Sequence, residues 1–144
     1  MKPGITFTKI WSDEDMIELR IAVSDHTSLF SNQVYIGHSD FTDALSQLDT
    51  FKEHIHGGLV DMRFGEFGPE YASGAFHARF HFPQPGKLYI TCKQQSAFED
   101  FSGKNVANEA TIHLRTEPVL LDNFLEQLKA LDARTREDAH LETI

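Results

Sequence analysis

A single cysteine, Cys92, leaves this chain of 144 residues without an intramolecular disulfide and excludes the thiolate cages of structural zinc sites. Such usage points to a reducing compartment. Long apolar runs are missing too. Nowhere do roughly eighteen apolar residues follow one another, the length a membrane helix needs, and the opening "MKPGITFTKIWSDEDM" has no apolar stretch behind its first charge. We therefore expect a cytoplasmic protein with no membrane span. Basic residues are scarce, 13 lysines and arginines against 22 aspartates and glutamates, for a formal charge of −9. Binding along a phosphate backbone draws much of its affinity from lysine and arginine, so nucleic acid is not an expected partner and a basic protein is. Catalytic and cofactor fingerprints are also absent. Gly57 and Gly58, and Gly65, Gly68 and Gly74, have the wrong spacing for a phosphate-cradling or dinucleotide loop, and no serine-nucleophile motif occurs. No cofactor and no metal are expected.

What is present is a folded domain's composition, 40% hydrophobic and 24% charged, with twelve phenylalanines to build a core. A chain of this length buries roughly 68 to 70% of its surface on folding, enough for one core. In "DMIELRIAVSD", residues 15–25, Ile17, Leu19, Ile21 and Val23 alternate with Glu18, Arg20, Ala22 and Ser24, the period of a half-buried strand. "GITFTKIW" (Gly4 to Trp11) and "LFSNQVYIG" (Leu29 to Gly37) have the same character. Phe41, Ala44, Leu45, Leu48 and Phe51 then recur at helical spacing, with Ser39 or Asp40 placed to cap the helix and "HGG" at His56 to Gly58 to end it.

Four more strands follow in "GLVDMRFGEF" from Gly58, "GAFHARFHF" from Gly74, "KLYITCKQQ" from Lys87 and "EATIHLRT" from Glu109. "PQPG" is the turn between the middle two. A second helix starts at Glu117 with Pro118 in its first turn and carries Leu121, Phe124, Leu125, Leu128 and Leu131 on one stripe. The fold class is therefore α+β: one antiparallel sheet of about six to seven strands with two helices packed on one face. Residues 1–132 form a single domain, and 133–144 a polar C-terminal tail that frays. An offset of eighty residues aligns the helices, pairing Phe41 with Leu121, Leu45 with Leu125, Gln47 with Gln127, Leu48 with Leu128 and Phe51 with Leu131. A strand-to-helix unit used twice is one account of that match.

"GAFHARFHF" puts Phe76, Ala78, Phe80 and Phe82 toward the core and His77, Arg79 and His81 on the opposite face. The two histidines stand about 13 Å apart at about 3.3 Å per residue, too far to share a metal ion. The same alternation exposes Arg63, Tyr89, Lys93, His113 and Arg115, so one sheet face of an acidic protein is basic. A solvated face with cross-strand polar pairs is the plain explanation. A small-ligand-binding protein or enzyme that uses His77, Arg79, His81, Tyr89, His113 and Arg115 is the functional alternative. His54 and His56 fit a helix end, and Cys92 shares the buried side of its strand with Leu88 and Ile90.

Paired carboxylates occur in "DEDM" (Asp13 to Asp15) and "FEDF" (Phe98 to Phe101). The second lies in "QQSAFEDFSGKN", a stretch without strand or helix period, and "FGEFGPEY" (Phe64 to Tyr71) is similar. Phenylalanines in such loops either tuck back onto the core or stay out for a partner, ringed by charge. For a protein-binding module, the expected contact residues are Phe98, Glu99, Asp100 and Phe101, together with Glu66 and Glu70. No residue is assigned a catalytic role. Self-association through a strand edge is a further possibility.

The order of strands, helix, strands and helix, with "VYIGHSDFTDALSQLDTF" and "IHLRTEPVLLDNFLEQLKAL" as landmarks, resembles small bacterial immunity domains of polymorphic toxin systems, including the WapI-like group. The likeness spans Asp15 to Leu131 and lies in hydrophobic pattern and helix phrasing. It departs from the WapI-like pattern in having one tryptophan, Trp11. The resemblance implies a cytoplasmic protein that binds and neutralises a toxin domain, without catalysis or cofactor, its acidic surface matched to a basic toxin.

Overall fold

The computed structural model describes residues 2–70 and 72–144; Tyr71, at the end of the "FGEFGPEY" loop, lies outside the described residues. The strands are β1 (Gly4–Ser12), β2 (Met16–Ser24), β3 (Leu29–Gly37), β4 (Leu59–Gly65), β5 (Ala75–Gln84), β6 (Lys87–Gln95), β7 (Glu99–Phe101), β8 (Lys104–Val106), β9 (Glu109–Thr116) and β10 (Asp138–Glu142). Helix α1 (His38–Phe51) follows β3, and α2 (Pro118–Asp132) follows β9. All strand pairings are antiparallel, and the α+β class stands.

The expected single sheet does not. The strands divide into two four-stranded sheets, ordered β10-β1-β2-β3 and β4-β5-β6-β9, with β7 and β8 as a separate hairpin. A period of two fixes which side chains point inward, but it carries no information about a strand's neighbour, so seven alternating segments fit one sheet or two equally well. The helices make the division. Helix α1 carries the chain from the edge of the first sheet to the edge of the second, and α2 carries it back from β9 to β10. Three strands and a helix thus occur twice, each helix delivering the fourth strand of the other unit's sheet. The aligned helix positions Phe41 and Leu121, Leu45 and Leu125, Leu48 and Leu128, and Phe51 and Leu131 are all buried.

The C-terminal segment corrects a second expectation. Residues 133–144 do not fray: β10 lies against β1, with Ile5 opposite Leu141 and Phe7 opposite Ala139, and buries both Ala139 and Leu141. Ala139 and Leu141 are too isolated in this mostly polar run of twelve to mark a strand in the sequence. The helix ends differ as well. Gly37 occupies the cap of α1 with no side-chain hydrogen bond, and Asp40 sits in the first turn, where its charge suits the helix dipole. The helix stops at Phe51, five residues before "HGG", and His54 and His56 lie exposed in the turns beyond it.

Both sheets and both helices share one interior. The Phe7 ring of β1 meets Phe64 of β4, Phe76 of β5 and Phe124 of α2 edge-on, at centroid distances of 6.0, 5.7 and 5.6 Å. Such pairs contribute roughly 0.5–1.5 kcal/mol each beyond burial. Phe51 of α1 stacks on Phe82 of β5 at 4.8 Å. Cys92 is buried, and burial pushes its thiol up and keeps it protonated.

At one end the sheets are joined by a polar bridge. Asn32 of β3 donates its amide to the carbonyls of Ala75 and Gln95, both at 2.9 Å, while Gln94 donates to the Ile21 carbonyl at 3.0 Å and to Asn32 Oδ1 at 2.8 Å. Gly74, at φ 119°, abuts the Gln33 carbonyl so closely that any side chain there would collide with the backbone.

Candidate functional site

The register Gly65, Ala75, Gln95, Glu109 marks one end of the second sheet, and two loops leave from it, residues 66–74 and 96–108. They are tied together. Phe98 N–H donates to the Ala72 carbonyl at 3.1 Å, and Gly68 N–H donates to Gln95 Oε1 at 2.7 Å. Ser96 and Asn108 close the base of the second loop, Ser96 N–H donating to the Asn108 carbonyl and Asn108 N–H to Ser96 Oγ, each at 2.9 Å.

The stretch that lacks strand period in the sequence is a β-hairpin. Phe101 faces Lys104 across Ser102 and Gly103, whose φ values of 54° and 92° are both positive, as a type I′ turn requires. The Ser-Gly pair was the available signal, and three-residue arms are too short to show alternation. Glu99 and Phe101 share one face of the ribbon and Asp100 the other. The two phenylalanines part company: Phe98 is half-buried at the base, while Phe101 is 66% exposed beside the turn. Glu99 and Asp100 are exposed, and so are Glu66 and Glu70 on the companion loop, where Phe67 is exposed as well. The structure therefore brings all six expected contact residues to one end of one sheet. Glu99 also lines a cleft of about 520 Å³ with Arg20, Gln33 and Tyr35 of the first sheet.

The basic face is the outer side of the second sheet. Its rows across β4, β5, β6 and β9 run Leu59, His81, Tyr89, Arg115; then Asp61, Arg79, Thr91, His113; then Arg63, His77, Lys93, Thr111. Sequence reasoning missed the centre of this face, Asp61, although it has the same strand parity as Arg63. Its carboxylate accepts from Arg79 Nε at 2.8 Å and Nη2 at 3.2 Å and lies 3.0 Å from His77 Nε2, with Arg63 Nη2 at 3.6 Å. The Arg79 guanidinium above all, helped by His77, holds Asp61 down at about 2, against the opposing effect of partial burial. His113 Nδ1 pairs with Thr91 Oγ1 at 3.1 Å, Arg115 lies over the Tyr89 ring at 5.6 Å, and His81 meets that ring edge-on at 6.5 Å. Each histidine has a separate partner. The residues of the alternative ligand face are thus neighbours, arranged as cross-strand pairs, with Arg79, His77 and Arg63 around the carboxylate of Asp61.

The carboxylates of "DEDM" serve the β1–β2 turn: Asp13 Oδ1 accepts the backbone N–H groups of Asp15 at 2.9 Å and Met16 at 2.8 Å, which lowers its pKa, the Met16 bond most. Asn32 and Gln94 were also missed as structural polar residues, though each occupies an inward position in an otherwise apolar alternation. No family model, curated protein or solved structure matches this chain. The resemblance to immunity domains accordingly stands on hydrophobic pattern alone, and the function must be argued from the surface.

Proposed function

We propose that this chain is a non-catalytic protein-binding module of the immunity type, which neutralises a basic toxin domain through the loop end of its second sheet. The observation that carries the reading is Phe101, a large ring held out on a hairpin whose turn geometry is well defined, flanked by Glu99 and Asp100. A preformed ribbon loses little conformational freedom on binding, and an exposed aromatic ringed by charge has the make-up of an interface anchor. The companion loop adds Glu66, Glu70 and Phe67 beside it. The net charge of −9 favours rapid encounter with a basic partner.

The test compares three baits in lysate of the source cell: the wild-type chain, Phe101→Ser, and the double variant Glu99→Lys/Asp100→Lys. One basic protein retained in stoichiometric amount by the wild type, released by salt and lost from both variants is the expected result. Retention of the same proteins on all three baits would refute the assignment.

A further inference from the structure

The two helix seams of this molecule are equivalent in topology and unequal in occupancy. Beside α2, the edge of β10 is covered: the His140 N–H donates to Gln127 Oε1 at 2.8 Å. The neighbouring edge of β9 is engaged by the C-terminal residues, with Ile144 N–H donating to the Arg115 carbonyl at 2.9 Å and Thr116 Oγ1 to the Glu142 carbonyl at 2.7 Å. Beside α1 the corresponding edge is bare. Strand β4 pairs with β5 alone, and among the described residues its backbone makes no hydrogen bond outside that ladder. Among the described residues Gln47, which aligns with Gln127, makes no comparable bond and instead lines open space.

That space is a groove. A cleft of about 540 Å³ runs along Asp61 to Gly65 and the α1 residues Asp40, Asp43 and Ala44, and a second of about 420 Å³ continues along Leu59, Val60, Thr50 and Phe51. Gln47 lines both. At its far end the groove is lined by Tyr35, Ile36 and Gly37 of β3 as well as by Phe64 and Gly65, and Leu59 to Arg63 form its helix-side stretch. Five residues give about 16 Å of free strand edge at about 3.3 Å per residue.

We infer that this groove binds an extended segment of a partner protein, which adds to β4 as a further strand of the second sheet. A free edge recognises backbone, so the occupant is extended and its side chains alternate. Those that turn inward fall beside Val60 and Met62 and above Ala44, an apolar lining. The helix side of the rim is acidic: Asp40 and Asp43 of α1 line it without an ion-pair partner among the described residues, whereas Asp61 is already held by Arg79, His77 and Arg63, so lysine or arginine of the occupant pairs with the helix. The inference is independent of the hairpin and survives or fails without it.

The probe is a display library of random twelve-residue peptides selected on the full chain. Enriched peptides should alternate apolar with basic residues and, in amide hydrogen exchange, protect outward N–H groups of Leu59–Arg63. Gln47→Trp, which fills the junction of the two clefts at an exposed helix position, should abolish their binding. Asp40→Lys/Asp43→Lys should weaken it by about tenfold at low salt. Glu99→Lys/Asp100→Lys should leave it unchanged. Failure to enrich any peptide would overturn the inference. So would enriched peptides that protect the hairpin or the basic face, or that still bind Gln47→Trp. Protection of β4 that rises with protein concentration in the absence of peptide would make the occupant a second copy and overturn its assignment to a partner.

Discussion

Replacing Gln94 by leucine tests whether the polar bridge joins the two sheets. Gln94 is 1% exposed, and its amide satisfies the Ile21 carbonyl and Asn32 Oδ1. Leucine strands both acceptors in the interior at roughly 1–3 kcal/mol each, while its own burial offsets about 1 kcal/mol, which leaves a net loss of about 1–5 kcal/mol. Asn32→Leu removes the donors to Ala75 and Gln95 and strips Gln94 of one acceptor, for a loss of similar size. In the double variant no stranded Asn32 oxygen remains and no Gln94 amide seeks it. The combined loss should therefore fall short of the sum by about 1–2 kcal/mol. Urea unfolding of the four proteins measures this, with unchanged m-values confirming that the denatured state is the same. For a chain of this size each kcal/mol also shifts Tm by about 2–4 °C. Additivity within about 0.5 kcal/mol, or a neutral Gln94→Leu, would refute the bridge as an energetic link between the sheets.

Two further outcomes follow from the same structure. Asp61 is held at about 2 in the folded chain, against about 3.8 when unpaired, so it stabilises the fold above pH 4 and that contribution disappears as pH falls from about 4 toward 2. Allowing for the half-exposed Arg79, it amounts to about 1 kcal/mol, and Asp61→Asn should flatten the acid limb of a stability–pH curve by that much; an unchanged limb would show that the cluster adds nothing. Leu141→Ala should cost about 2–5 kcal/mol in chemical unfolding because Leu141 is fully buried on β10, whereas a frayed tail would register no change.

The inward and outward sides of seven strands were legible in the sequence because alternation reports burial directly. Arg63, Tyr89, Lys93, His113 and Arg115 all emerge on the exposed side, and Phe76, Ala78, Phe80 and Phe82 are all buried. Strand partnership was not legible. It is decided by which side chains meet across the interior, as Phe7 meets Phe64 and Phe76, and such contacts leave no local trace. Short elements were lost for a different reason. The arms of the hairpin and the five residues of β10 are too brief for a period to rise above chance, so the informative marks were a Ser-Gly turn and the pair Ala139 and Leu141. The site shows the same division. The residue types of the loop end were readable, but their convergence depends on Phe98 bonding to Ala72 and Gly68 to Gln95, across intervals of 26 and 27 residues.

The coexistence of a basic face and an acidic total has a physical consequence for how the proposed partner is oriented. At separations near a Debye length, roughly 8 Å at physiological ionic strength and longer at low salt, a basic protein responds mainly to the net charge of −9 and is drawn in from any direction. Closer in, local charges dominate. The outer face of the second sheet, where Arg63, Arg79, Lys93 and Arg115 outnumber the carboxylates of Asp61 and Glu109, then repels it. The hairpin end, where Glu66, Glu70, Glu99 and Asp100 gather, attracts it. Repulsion from the wrong face narrows the set of encounter geometries as effectively as attraction to the right one, which is how like-charge contacts confer specificity at little cost in affinity. On this account the cations of the sheet face guide a basic partner toward Phe101 without touching it.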